Sequence, residues 1–205
     1  KRRARQLALT PSTGIYEKLF SLLREIKAEN EPVLLLGASY SYVHLFKELK
    51  KRNQTFSLPK GSMIFDTGGY KNQSEELELD DFYSRLESFL GVDRKDCVNM
   101  YGMTELSTQF YDCGNEQVPS LKYAPHWLKT RVVDPLTGEE KPHGEKGVLI
   151  HYDLANINSV SAIMTEDVGY KEKNGFYLLG RAEGAEAKGC SLALDSFVQA
   201  TKGDQ

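Results

Sequence analysis

The chain has 205 residues, enough for one large domain or two small ones around a proper core. Apolar and aromatic residues make up 40%, charged residues 27%, and the net charge is −3, an ordinary globular balance that gives no argument for nucleic acid as the main partner. No apolar run approaches the roughly 18–20 residues needed to span a bilayer, and the N-terminus shows no signal-peptide pattern.

The first half alternates helix and strand. Ile15, Leu19, Leu22, Leu23 and Ile26 recur at helical spacing after a start signal at Thr10-Pro11-Ser12. Glu31-Pro32 stops that helix, and Val33-Leu34-Leu35-Leu36 reads as a buried strand. Ser39 or Ser41 then caps a second helix with Val43, Phe46 and Leu49 on one face and a basic end at Lys50-Lys51-Arg52. A second strand over residues 62–65 runs into Asp66-Thr67-Gly68-Gly69-Tyr70. A third helix is expected over residues 79–90, and a third strand over residues 97–100. This order predicts a parallel sheet with crossover helices.

Beyond residue 118 the pattern becomes antiparallel and β-rich. Residues 127–134 alternate, Pro135-Leu136-Thr137-Gly138 is a turn, residues 148–152 form a strand, and Met164 and residues 175–179 belong to further short strands. The predicted fold is therefore α/β, with a subdomain over 1–118 and a β-rich subdomain over 119–205.

Three strand-to-loop junctions carry chemistry, because open α/β sheets bind ligands at the carboxyl ends of strands. Gly68-Gly69 is either a tight turn or a place where backbone approaches a flat ligand. Asn99-Met100-Tyr101-Gly102-Met103-Thr104-Glu105 is either a nucleotide cradle or a helix start. In the first case Tyr101 stacks on a base, Asn99 reads its edge, Thr104 bonds a phosphate and Glu105 ligates Mg²⁺. Asp167 and Arg181 are either a turn residue and a surface cation, or ligands for a ribose diol and a ribose or phosphate. The three cysteines, Cys97, Cys113 and Cys190, and the four histidines show no metal-ligand spacing, and a reducing cytoplasm is the simplest setting.

Tyr101-Gly102-Met103-Thr104-Glu105 resembles the Tyr-Gly-x-Thr-Glu motif of the adenylate-forming superfamily of acyl-CoA synthetases, luciferases and adenylation domains. Asp66 to Tyr70 resembles its adenine-side glycine loop, and Asp134-Pro135-Leu136-Thr137-Gly138-Glu139 its Asp-Pro-x-Thr-Gly-Glu hairpin. Asp167 resembles its ribose-binding aspartate and Gly180-Arg181 its Gly-Arg motif. The segment that follows, Ala182 through Lys188-Gly189-Cys190 to Asp195, departs from the usual hinge and is similar to the acyl-protein synthetases of bacterial luminescence.

That resemblance implies ATP-dependent activation of a carboxylic acid, a long-chain fatty acid among the candidates, with ATP and Mg²⁺ as cofactors. It implies transfer of the acyl group to a cysteine, for which Cys190 is the candidate, and an acyl-reductase or acyl-transferase protein as partner. Gly68, Gly69, Tyr70, Asn99, Tyr101, Gly102, Thr104, Asp167 and Arg181 would bind nucleotide; Thr104, Glu105 and Cys190 would be catalytic, with Glu105 on the metal. The alternatives are an aryl- or acyl-CoA ligase, or a degenerate nucleotide-binding subunit. The superfamily's Ser/Thr/Gly-rich phosphate loop and its catalytic-lysine domain are not in the sequence, so the upstream half is expected to be missing.

Overall fold

Amphipathic spacing builds the first helix, α1 (Ile15–Glu29), which buries Leu19, Phe20, Leu23 and Ile26 along one stripe and closes on Asn30 in the left-handed conformation. The structure is a computed structural model that describes residues 14–69 and 76–181. The chain forms two compact units that divide between Val98 and Asn99. The segment 99–118, expected with the first half, therefore belongs with the second. The reason is local: the loop after residue 101 takes its hydrogen-bond partners from downstream β-structure, as described below.

In the first unit, β1 (Leu34–Ala38) and β2 (Met63–Thr67) pair in parallel, Leu34 opposite Met63 and Ala38 opposite Thr67, joined by the crossover helix α2 (Ser39–Lys51). This is the predicted parallel arrangement. Tyr42, Val43, Leu45, Phe46 and Leu49 of α2 are buried, as are Phe82, Tyr83, Leu86 and Leu90 of α3 (Leu79–Leu90). The Phe46 ring meets Phe82 at 5.8 Å and stacks with Phe89 at 5.6 Å. Each such fully buried side chain contributes about 1.5–3 kcal/mol relative to exposure. The apolar residues of α2 are thus largely buried in this core. The Ser39 hydroxyl does not cap α2. It donates instead to Asp66 Oδ2 at 2.9 Å and to the carbonyl oxygen of Gly68 at 2.9 Å.

The second unit is antiparallel throughout. It begins inside β3 (Cys97–Tyr101), which pairs with β4 (Phe110–Tyr111). From β4 the neighbours run through β5 (Leu121–Tyr123), β9 (Gly175–Arg181), β8 (Ala162–Glu172) and β7 (Lys146–Asp153) to β6 (Leu128–Val133). Leu106, Phe110, Leu128, Val132, Leu149 and Phe176 form its core. The strands alternate inward and outward, so on β7 the buried positions are Gly147, Leu149, His151 and Asp153. Two polar residues therefore share the inward face with Leu149.

The Asp134 hairpin closes as its residue types require. Asp134 Oδ1 accepts from the amides of Leu136 and Thr137, at 2.9 and 3.2 Å, and Gly138 takes φ +73°, which glycine adopts without Cβ strain. Lys141 completes the turn at 2.8 Å from Asp134, and these bonds hold the carboxyl down at about 2. Among the described residues no helix is long and apolar enough to cross a membrane.

Candidate functional site

The expected site residues fall into both units. Gly68 and Gly69 follow β2 in the first. Gly68 has φ +74°, and a side chain on Gly69 would meet nothing within 4 Å. This open turn is anchored from below by Asp66, only 1% exposed, whose two oxygens accept from Ser39 (2.9 Å) and from the Tyr83 hydroxyl (3.0 Å). The backbone is thereby held while its glycine tip stays accessible. Tyr70 and Cys190 lie outside the described residues.

In the second unit Tyr101, Asp167 and Arg181 come together. Tyr101 ends β3, and its hydroxyl donates to Asp167 Oδ2 at 2.5 Å. Asp167 lies within β8, not in the loop that its turn-like residue type predicts, because β8 is longer than the short strand expected around Met164. Arg181 is its direct partner on β9. A bulge makes this pairing: up to Gly169–Leu178 the hairpin register is regular, and then Val168 pairs with Gly180, skipping Leu179. Gly180 takes φ +136° at that step, a conformation suited to glycine. Without the extra residue Gly180 would stand opposite Asp167. With it, Arg181 Nε comes within 3.8 Å of Asp167 Oδ1 while its terminal nitrogen pairs with Glu166. The Asp167 and Gly180-Arg181 motifs are thus one structural feature.

A buried chain stands behind Tyr101. His151 is fully buried, with Nε2 3.3 Å from the Tyr101 hydroxyl and Nδ1 2.9 Å from Thr130 Oγ1. The Tyr101 proton is committed to Asp167, so the phenol oxygen accepts from His151 Nε2–H, and Nδ1 accepts from Thr130. Directionality therefore runs Thr130 to His151 to Tyr101 to Asp167. The Tyr101 ring packs against Phe110 (5.6 Å) and edge-on against Phe176 (5.8 Å). Burial and the Asp167 charge push the Tyr101 phenol far up, keeping it a donor. Burial also raises Asp167; the Tyr101 hydrogen bond and Arg181 pull it back, while Glu166 and Glu105 add to the rise. Burial alone lowers His151 to about 4, so it is neutral.

The loop after Tyr101 holds exposed Gly102, Thr104 and Glu105. No helix starts at Thr104-Glu105, which form a turn. Thr104 Oγ1 donates to Glu105 at 3.0 Å. Buried groups below fix the loop: Asp153 accepts from the Thr108 amide and hydroxyl, both at 2.8 Å, and Asn156 donates to the Glu105 carbonyl at 2.8 Å. Asn99 at the start of this segment has its side-chain oxygen on Lys122 Nζ at 2.6 Å. His151, Asp153, Asn156 and Lys122 were not among the expected site residues. For the first two the signal was present, since strand alternation places them on the Leu149 face.

The family model for the acyl-protein synthetase LuxE matches residues 8–198. The chain belongs to this family. It is 25% identical over 194 residues to the long-chain-fatty-acid–luciferin-component ligase of Vibrio harveyi, and covers 90% of this chain but half the length of that curated relative. Solved structures share the fold at low identity. A 2-hydroxyisobutyryl-CoA ligase in complex with 2-HIB-AMP and CoA aligns with TM-score 0.60 and 16% identity, over 85% of this chain and 41% of that one. ATP-bound MatB from Rhodopseudomonas palustris gives 0.57 and 18%, over 80% and 33%. McyG A-PCP complexed with phenylalanyl-adenylate gives 0.56 and 16%, over 82% and 34%. The α/β fold shared with these structures is the one predicted.

The His151 environment sets a pH dependence. Above its ordinary value of 6.5 both folded and unfolded forms are neutral and nothing is lost; as pH falls toward about 4 only the unfolded form takes up the proton, and stability drains away. Between pH 7 and 5 this amounts to about 2 kcal/mol. Urea unfolding at both pH values is expected to show that loss in the wild type and not in His151→Gln; parallel losses would assign the pH dependence to other groups.

Proposed function

We propose that the complete protein activates a carboxylic acid with ATP and passes the acyl group to a thiol. A carboxylate oxygen attacks the α-phosphorus, pyrophosphate leaves, and an acyl-AMP forms; a thiolate then attacks the acyl carbon and AMP leaves. The observation that carries this reading is the convergence of Tyr101, Asp167 and Arg181 in a family of acyl-protein synthetases. The name of the Vibrio harveyi relative makes a long-chain fatty acid the first candidate substrate.

In this reading Asp167 accepts from the ribose diol and Arg181 reaches ribose or phosphate through its planar fork. Tyr101 and Asn99 face the base, Gly68, Gly69 and Tyr70 form the adenine-side loop, and Gly102 and Thr104 approach the α-phosphate. No group of three or more His, Cys, Asp or Glu among the described residues could hold a metal by itself. The exposed carboxylate of Glu105 fits a cation that keeps most of its oxygen ligands from phosphate and water, as Mg²⁺ does. When bound there, Mg²⁺ offsets the phosphate charge. We further assign Cys190 as the acyl acceptor, an acyl-reductase or acyl-transferase as the partner that takes the acyl group onward, and the cytoplasm as the setting.

ATP–pyrophosphate exchange by the complete protein, across a panel of acids, tests the first half-reaction. Exchange with fatty acids is expected, and none with any acid would refute it. Glu105→Gln should lower exchange by at least about tenfold while AMP affinity changes less than about twofold. Equal losses in both would make Glu105 a structural residue of the turn.

Incubation with ATP and labelled fatty acid tests the second. Hydroxylamine-sensitive label should appear on the wild type and vanish from Cys190→Ala; label retained on that variant would move the acceptor elsewhere, and transfer to added CoA would favour an acyl-CoA ligase.

A further inference from the structure

Both crossover helices of the first unit meet the same face of its parallel strands. Tyr42 of α2 packs on Gly37 of β1, where a Cβ would stand 3.0 Å from the tyrosine ring. Asp66, the register partner of Gly37, accepts from Ser39 of α2 and from Tyr83 of α3. Side chains alternate along a strand, so Leu35 and Ile64 share that face, and Ile64 is fully buried. Leu34, Leu36 and Met63 belong to the opposite face. There Leu34 is 54% exposed, Leu36 66% and Met63 39%.

A single exposed leucine is ordinary, but these three adjoin. Leu34 pairs directly with Met63, and Leu36 follows two residues on, beside Phe65. No charged residue interrupts 33–38 or 63–65. Parallel strands are normally covered on both faces, which is why Val33 to Leu36 reads as a buried strand in the sequence. Among the described residues, Ile64 has its cover, whereas Leu34, Leu36 and Met63 remain open to solvent.

We propose that this apolar face is the seat of the upstream half of the complete protein, which lays the apolar side of a helix across Leu34, Leu36 and Met63. Half the length of the Vibrio harveyi relative lies outside the match, so a protein of that length has the cover within one polypeptide. A second copy of the chain fits less well, because three side chains fall far short of the roughly 20–30 residues that each side of a stable interface contributes. Packing within one chain loses no translational freedom and needs no such area. This cover is a matter of how the protein folds and does not depend on the reaction assigned above.

The test places a diazirine amino acid at position 36 of the complete protein, and in a control at position 136, where Leu136 is 94% exposed. Cross-links formed on irradiation are mapped by mass spectrometry. Position 36 is expected to cross-link to peptides upstream of Lys1 in the same molecule, with a yield unchanged on dilution, and position 136 to react with water. Cross-links from position 36 confined to residues 1–205, cross-links to a second copy instead, or none at all would each overturn the proposal. Two smaller substitutions give an independent reading should the diazirine variant fail to fold. In the native complete protein, maleimide should modify the thiol of Leu36→Cys at least about tenfold more slowly than that of Leu136→Cys, with the difference abolished in urea. Equal rates in the native protein would likewise overturn the proposal.

Discussion

The hydrogen bond from Tyr101 to Asp167 organises the second unit. It ties the end of β3 to β8, residues 66 apart in sequence, at 2.5 Å. A phenol is a good choice for that task. Its ring satisfies the apolar cluster of Phe110 and Phe176, while its hydroxyl reaches out of that cluster to a carboxylate. His151 and Thr130 behind it remove the freedom of the hydroxyl, since each can play one role in the chain. Asp167 is therefore presented in one orientation, with Arg181 on the oxygen that Tyr101 does not use.

The rest of the site follows from how polar groups below it are satisfied. Asp153 is fully buried and takes three donors, two from Thr108 and one from the Ala155 amide. Asn156 bridges the carbonyls of Glu105 and Val160. An irregular loop carries backbone groups that no strand ladder satisfies, and these side chains satisfy them. The loop can then expose Gly102, Thr104 and Glu105 without collapsing onto the core. The glycine turn after β2 is built on the same plan, with buried Asp66 beneath accessible Gly68 and Gly69.

Much of this was legible in the sequence. Helical spacing in α1, α2 and α3 and the apolar runs of β1 and β2 gave the parallel α/β start, and alternation in residues 127–134 and 148–152 gave the antiparallel half. Tyr101, Asp167 and Arg181, which the structure brings together, were singled out by the motif resemblance, since their residue types alone left a turn residue and a surface cation open. The supports of this site were harder to see. The Leu179 bulge depends on hairpin register and on the conformation of Gly180, which no residue pattern announces. The Lys122–Asp112 ion pair looks like ordinary surface charge until tertiary packing buries it. Ser39 resembles a helix cap, but Asp66 and the Gly68 carbonyl compete for its hydroxyl and win. His151 was visible as a polar residue on the apolar face of β7, where alternation alone implies that it needs internal partners.

The account centres on Asp167 being held for a ligand by Tyr101, and calorimetric titration of AMP into the complete protein carrying Tyr101→Phe measures that directly. Phenylalanine keeps the ring and its packing but cannot donate to Asp167. The account predicts a folded protein whose AMP affinity falls about tenfold or more, as expected when a charge-assisted hydrogen bond to a binding carboxylate is lost. A Tyr101→Phe variant that binds AMP as tightly as the wild type would contradict it.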